Sequence, residues 1–136
     1  MTFSYIIDAD QRVIFVRALG AAKSQDIIDF RSRLLGEPEF NPDFKRLVDL
    51  TALTEIELSS ADVENLARDS VLETEARRAF VVSSVLHFGL GRMFNTYSSF
   101  TGSANVEVFR DLSEAIDWIG VPTAVAEQAF LNPASA

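Results

Sequence analysis

The sequence predicts a single α/β domain built on a mixed, mostly parallel five-stranded sheet. Short runs rich in Val, Ile and Phe are separated by turn-forming residues and longer amphipathic segments. The first two runs follow each other without a helix between them, which predicts an antiparallel hairpin. The later runs alternate with helical segments, which predicts parallel strands joined by right-handed crossovers. A chain of 136 residues is long enough for one such core.

The predicted elements follow one another in the order β-β-α-β-α-β-α-β-α-α. The strands are predicted at residues 3–8, 13–19, 46–51, 78–83 and 105–109, with Gly20 closing the hairpin. Helices are predicted to begin at Ser24, at Ser59 or Ser60, at Ser84 and at Asp111, because Ser and Asp accept hydrogen bonds from the free N–H groups of a first helical turn. The first of these helices should end at Gly36. We expect residues 1–120 to form the domain and residues 121–136 to be a helical extension packed on it.

Both faces of the predicted sheet are apolar. Ile14 and Val16 alternate with Val13 and Phe15 along the second strand, and the fourth strand repeats the pattern. A sheet with two apolar faces needs cover on both sides. The final helix, at residues 121–131, is a candidate for part of that cover, and a homodimer is another.

Charge and composition exclude several classes of function. The net charge is −8 and no basic stripe is present, which argues against nucleic-acid binding. The chain has no cysteine, so disulfides and thiolate metal sites are excluded. The first residues lack the features of a signal peptide and no apolar run reaches the ~18 residues of a membrane span. We therefore expect a cytoplasmic protein that binds neither membranes nor cofactors.

The distribution of charge along the chain is more informative than its sum. From residue 79 to residue 106 the only formal charge is Arg92, so this stretch is either deeply buried or covered by a partner. When the third helix is projected at ~100° per residue, Phe88 falls on the polar side near Arg92 and Asn95, with Val85 on the flank. These four residues are a candidate surface for a partner or ligand.

A second segment, residues 47–67, contains five acids and no base. Carboxylate pairs perform acid/base chemistry or bind metals when they are buried together. Nothing in the sequence predicts burial here, so we expect a solvated acidic face that would meet a basic partner. The five acids are Asp49, which lies in the predicted third strand, and Glu55, Glu57, Asp62 and Glu64, which follow it.

The segment from Arg46 to Leu66 resembles the middle of STAS domains, the anti-sigma-factor-antagonist group that includes stage II sporulation protein AA. There, as at Asp49-Leu50 here, a strand ending in Asp-Leu leads to an Asp-Ser-Ser-Gly-like turn at a helix start. Further stretches, at residues 37–44, 78–82, 88–94 and 108–111, are similar to a family of short stand-alone bacterial proteins with this fold, many of them without an assigned activity.

The resemblance implies a candidate phosphorylation site. The serine that is phosphorylated in sigma-regulatory members corresponds to Ser59, which is followed by Ser60. The flanking aspartate and glycine of that turn are Leu58 and Ala61 here, which argues against modification. Helix capping is the simpler role for these serines.

The leading hypothesis is a non-enzymatic STAS-like interaction domain, homodimeric and acting through protein contacts. The alternative is a carrier of a small apolar, lipid-like ligand, with the Phe- and Met-containing third helix lining a cavity. A third hypothesis is a hydrolase using Ser84 and His87, the only histidine, although sequence cannot show that catalytic groups converge.

Overall fold

A computed structural model describes residues 2–62, 64–65, 76–83 and 105–131 of the chain. Its elements are β1 (Thr2–Asp8), β2 (Val13–Lys23), α1 (Ser24–Leu35), β3 (Lys45–Glu57), β4 (Arg78–Val81), β5 (Val106–Phe109), α2 (Leu112–Ile119) and α3 (Thr123–Leu131). Residues 60–62 and 64–65 are also helical.

The five strands form one sheet in the order β1-β2-β3-β4-β5. β1 and β2 are antiparallel, whereas the pairs β2–β3, β3–β4 and β4–β5 are all parallel. The predicted fold class, a mixed and mostly parallel sheet opened by a hairpin, is therefore confirmed.

One face of the sheet is covered by α2 and α3. Val13, Phe15, Leu47, Ala79 and Val81 point to this side and pack against both helices. Ala126 and Phe130 of α3 are buried there, with the Phe130 and Phe15 rings edge to face at 5.8 Å between centroids. The last helix thus belongs to the hydrophobic core, as expected of a segment that covers the sheet.

The opposite face is covered by α1 and the loop that follows it. Ile14 and Val16 pack with Phe30 and Leu34 of α1, and Phe44 is buried in the same cluster. Phe40 packs at its margin. The alternation of Val13 and Phe15 with Ile14 and Val16 therefore sends the two sets to different layers, as the period of a strand requires.

β2 and β3 both extend further than predicted. β2 continues through Gly20 to Lys23, and β3 continues to Glu57, because the two strands keep pairing in parallel as far as Lys23 and Glu57. Gly20 adopts a positive φ of 85° beside a register shift and does not end the strand. Ser24 is consequently the first residue of α1 and not its cap. The cap position is Lys23, whose N–H donates to the Asp26 carboxylate at 3.1 Å.

Side chains form hydrogen bonds at both ends of α2, from the adjacent residue at its start and from distant residues at its end. Its N-cap, Asp111, accepts a hydrogen bond from the Ser113 N–H at 2.9 Å, as the capping pattern predicts. At the other end, Lys45 Nζ donates to the Ile119 carbonyl at 2.8 Å and Arg77 donates to the Trp118 carbonyl at 2.7 Å. Gly120 ends the helix with a left-handed φ of 84°.

Tyr5 connects β1 to the loop after α1. Its hydroxyl donates a hydrogen bond to Glu37 Oε1, and its ring packs edge to face on Phe30 at 5.8 Å. Burial raises the pKa of Tyr5, and the neighbouring Glu37 raises it further.

Replacing Phe130 with Ala is expected to lower the free energy of unfolding by about 3 kcal/mol, because it opens a cavity between α3 and the sheet. Leu131 is the matched control: it is the next residue but 76% exposed, so Leu131→Ala should change stability by less than ~0.5 kcal/mol. Urea denaturation measures both. Equal effects would show that α3 is not part of the core.

The stabilising contribution of Tyr5 should depend on pH. Its pKa is raised in the folded state, so its contribution is complete below the unfolded value near 10 and is lost as pH rises through the folded value. At neutral pH, Tyr5→Phe should destabilise the protein, since the bond to Glu37 is lost. Thermal unfolding from pH 7 to pH 11 should show this deficit shrinking above pH 10, and a constant deficit would contradict the assignment.

Candidate functional site

β2 and β3 run past the ends of the two strands beside them. β4 pairs with β3 only over Arg46–Asp49 and ends at Val81, level with Asp49. Beyond this point β2 and β3 continue as a parallel pair, residues 18–23 of β2 and 50–57 of β3, which we call the strand-end ribbon. β1 still borders β2 at Ala18 and Leu19, and from Gly20 onward the described part of the sheet is two-stranded. Ligands of open α/β sheets bind outside the carboxyl ends of the strands, so the ribbon and the helical turn after it form the candidate site.

An ion pair lies at the base of the strand-end ribbon. Arg17 and Asp49 are directly opposite each other in the β2–β3 register, and Arg17 Nε lies 4.0 Å from Asp49 Oδ2. The Asp49 side chain is only 9% exposed, whereas that of Arg17 is 38% exposed. The expectation of a solvated acidic segment is therefore wrong for Asp49, because the strand period directs its side chain inward under the helix layer formed by α2 and α3.

Asp49 also stabilises an irregularity in β3. The register shifts between Arg17 and Leu19, so that β3 has one residue more than β2 at this point. Asp49 Oδ1 accepts hydrogen bonds from the Thr51 N–H at 2.9 Å and from Thr51 Oγ1 at 2.6 Å. The carboxylate thereby satisfies a backbone donor at the register shift, as buried polar groups require. This buried acid acts as a fixed structural acceptor.

The two serines of the helix start occupy different positions. Ser59 lies outside the helix and its Oγ accepts the Asp62 N–H at 3.1 Å, while the Ser59 N–H donates to the Asp62 carboxylate at 3.0 Å. This reciprocal pair is a capping box with Asp in place of Glu. Ser60 is exposed and is the first helical residue. Ser59 is therefore the capping serine, and phosphorylation of either residue stays a prediction.

The four acids of the predicted acidic face differ in their surroundings. Glu55, Glu57 and Glu64 are exposed, whereas Asp62 is half-buried and bonded to Ser59. Glu57 lies 3.7 Å from Lys23 Nζ, an exposed ion pair that holds the end of the ribbon together only weakly. The segment thus presents exposed carboxylates on both sides of the Ser59 cap. Within the described residues, no group of three or more His, Asp or Glu side chains is placed to hold a metal ion.

The charge-poor stretch of the sequence is partly accounted for by packing within the chain. Ala79, Val81 and Val82 are buried, and Phe80 packs against the α1 side of the sheet. The other candidate surface, formed by Val85, Phe88, Arg92 and Asn95, lies outside the described residues, as do Ser84 and His87. Over the part of the chain that is described, no helix has both the length and the apolarity to cross a bilayer.

Two buried arginines were not singled out from the sequence. Arg46 and Arg78 are directly opposite each other where β3 and β4 begin, at 7% and 1% exposure. The Arg46 guanidinium lies 5.4 Å from the centroid of the Phe40 ring, and Arg78 Nε donates to the Ala76 carbonyl at 3.3 Å. Each arginine is the first residue of a predicted strand. Because parallel pairing places the starts of neighbouring strands side by side, this position in the sequence could have indicated that the two arginines lie next to each other.

Comparison with known proteins identifies the fold. No protein-family model and no curated protein matches the sequence. Among solved structures, an uncharacterised protein of the DUF3478 family from Shewanella loihica PV-4, described as having a SpoIIAA-like fold, superposes with a TM-score of 0.56. The match covers 87% of this chain and 94% of that one, at 21% sequence identity.

The chain has a SpoIIAA-like fold. This confirms the fold that the resemblance to STAS domains implied. At 21% identity, the similarity establishes the SpoIIAA-like architecture and gives no information on activity.

Replacing Asp49 with Ala is expected to lower the free energy of unfolding by about 2–3 kcal/mol, since the Thr51 N–H loses its acceptor and Arg17 loses its counter-ion. Arg17→Ala should cost less than ~1 kcal/mol, because that side chain is partly solvated. Chemical denaturation of both variants checks the order. Similar losses would mean that the ion pair, and not the bond to Thr51, is the main role of Asp49.

Replacing Ser59 with Ala should cost about 1 kcal/mol through loss of the cap, whereas Ser60→Ala should be nearly neutral. Ser59→Asp should retain most of the stability, because aspartate is also a good N-cap. Thermal unfolding of the three variants is the measurement. A larger effect at Ser60 would contradict the assignment of the cap.

Proposed function

We propose that the protein is a non-catalytic interaction domain that binds a basic segment of another protein at the carboxyl end of its parallel strands. The contact surface is the strand-end ribbon together with residues 58–62, 64 and 65. The observation that carries this proposal is the set of exposed carboxylates of Glu55, Glu57 and Glu64, which flank a capped helix start.

The backbone that presents these carboxylates is fixed before any partner arrives. β3 stays paired with β2 as far as Glu57, and the Ser59–Asp62 capping box fixes the start of the next helix. Ordering a loop on binding opposes association, so a preformed surface binds more tightly for the same contacts. The acidic surface therefore has the rigidity that a recognition site needs.

The charge of the protein supports a basic partner. The net charge of −8 gives the molecule a negative field that attracts cationic segments and repels nucleic acid. Lys23 lies close to one of the acids, Glu57, at the end of the ribbon. The partner segment therefore places Lys or Arg near Glu55 and Glu64, in a cytoplasmic setting. Phosphorylation of Ser59, if it occurs, would increase the negative charge between these two acids.

The proposal is tested by affinity capture with charge-reversed variants. Immobilised Glu55→Lys/Glu64→Lys protein is compared with wild type and with a control, Asp117→Lys/Glu127→Lys, which makes the same change in net charge at exposed positions of α2 and α3. We expect the partner proteins to be retained by wild type and by the control. The same proteins should be lost from Glu55→Lys/Glu64→Lys, and from wild type when the salt concentration is high. Their affinities are then measured by calorimetry with purified partner.

Retention of the same proteins by both double variants would contradict the proposed surface. Circular dichroism first establishes that each variant is folded, so that loss of binding is not loss of structure. A partner lost equally in the two variants would show that net charge, and not the position of the acids, governs association.

A further inference from the structure

β1 is the outermost strand on its side of the sheet. It pairs with β2 over its whole length, from Thr2 opposite Leu19 to Asp8 opposite Val13. Across the described residues no other strand borders β1 on the outer side. In such a strand, N–H and C=O groups of alternate residues point away from the sheet, and they form a row of hydrogen-bonding groups that another strand can join.

The edge formed by β1 lacks the devices that usually prevent strand pairing. It contains no Lys, Arg or Pro, and its register with β2 has no shift that would twist it away. Phe3, Ile6 and Ile7 are half-buried apolar residues along it. The opposite edge differs, because β5 is only four residues long and carries Glu107.

Another β1 fits this edge well. Residues that face each other in an antiparallel pair lie on the same side of the sheet. A two-fold axis that relates two copies of β1 must therefore pass midway between one residue and the same residue of the second copy. An axis at Tyr5 aligns all seven residues of β1 with their counterparts. Phe3 then faces Ile7 of the second copy, and Ser4 faces its Ile6. Axes at Ser4 or Ile6 align fewer residues.

The charges in this register also favour two copies. Asp8 is the only charged residue of β1, and it lies at the end of the strand. In the Tyr5-centred register the two Asp8 side chains fall at opposite ends of the pair, ~20 Å apart along the strand, where they repel each other little. A parallel arrangement would put them side by side. The strand is therefore self-complementary only when antiparallel.

The inner surface of β1 is already fixed by the fold. The Phe3 and Phe30 rings stack at 4.2 Å, and Tyr5 is held by Phe30 and Glu37. Because the two-fold axis is perpendicular to the sheet, the face covered by α1 in one copy continues into the same face of the other. The dimer requires no rearrangement of these contacts.

We infer that two copies of this chain form a homodimer by antiparallel pairing of β1 with β1 around Tyr5, which joins the two sheets into one of ten strands. This interface involves residues different from those of the proposed acidic surface, and either one can fail without the other.

Light scattering during size-exclusion chromatography, from ~5 to ~200 μM protein, should show a dimer. Ile6→Lys should raise its dissociation constant about tenfold or more, because the introduced ammonium is placed at the new strand pair without an acid to face it. The control is Ile28→Lys, an exposed apolar residue of α1, which should leave the dimer unchanged. A monomer throughout the range, or a dimer unaffected by Ile6→Lys, would overturn the inference.

Disulfide trapping tests the register, and it remains informative if Ile6→Lys fails to fold. Since the chain has no cysteine, Ser4→Cys and Ile6→Cys each introduce a single thiol. Under mild oxidation, a mixture of the two proteins should form crosslinked heterodimers faster than either protein crosslinks with itself, because residues 4 and 6 face each other across the axis. Preferential crosslinking of Ser4→Cys with itself would overturn the Tyr5-centred register.

Discussion

The parallel pairing of β2 with β3 is the constraint on which the rest of the structure depends. These are the two longest strands, and both faces of their common segment are buried, one under α1 and the other under α2 and α3. Their continued pairing to Lys23 and Glu57 creates the strand-end ribbon. The register also places Arg17 opposite Asp49 and brings the chain to Ser59, where the next helix is capped.

Much of this architecture follows from local features of the sequence. The alternation of Val13 and Phe15 with Ile14 and Val16 correctly predicted a sheet buried on both faces, and Asp111 correctly marked the start of α2. The extent of β2 and β3 was not predictable in this way. Gly20 is a turn signal by itself, and only pairing with Leu53 of the neighbouring strand keeps it within β2.

The candidate site was predicted less completely, for a related reason. The acids Glu55, Glu57 and Glu64 are exposed as their sequence context suggested, but Asp49 is not. Its ion-pair partner Arg17 is 32 residues earlier in the chain and comes opposite it only through strand register. Arg46 and Arg78 are a similar case, since neither residue alone indicates a buried position. Contacts between distant segments are determined by register, which local composition does not encode.

The end of α2 has a consequence for how the chain assembles. The helix has no basic residue in its last turn, and the cations that bond its final carbonyls come from Lys45 and Arg77, which are 74 and 41 residues earlier than the carbonyls they reach. As an isolated segment α2 is short and has neither partner, so it is intrinsically weak. Its amides should gain protection from hydrogen exchange only after β3 and β4 have begun to align. α2 therefore belongs to a late cooperative unit of folding.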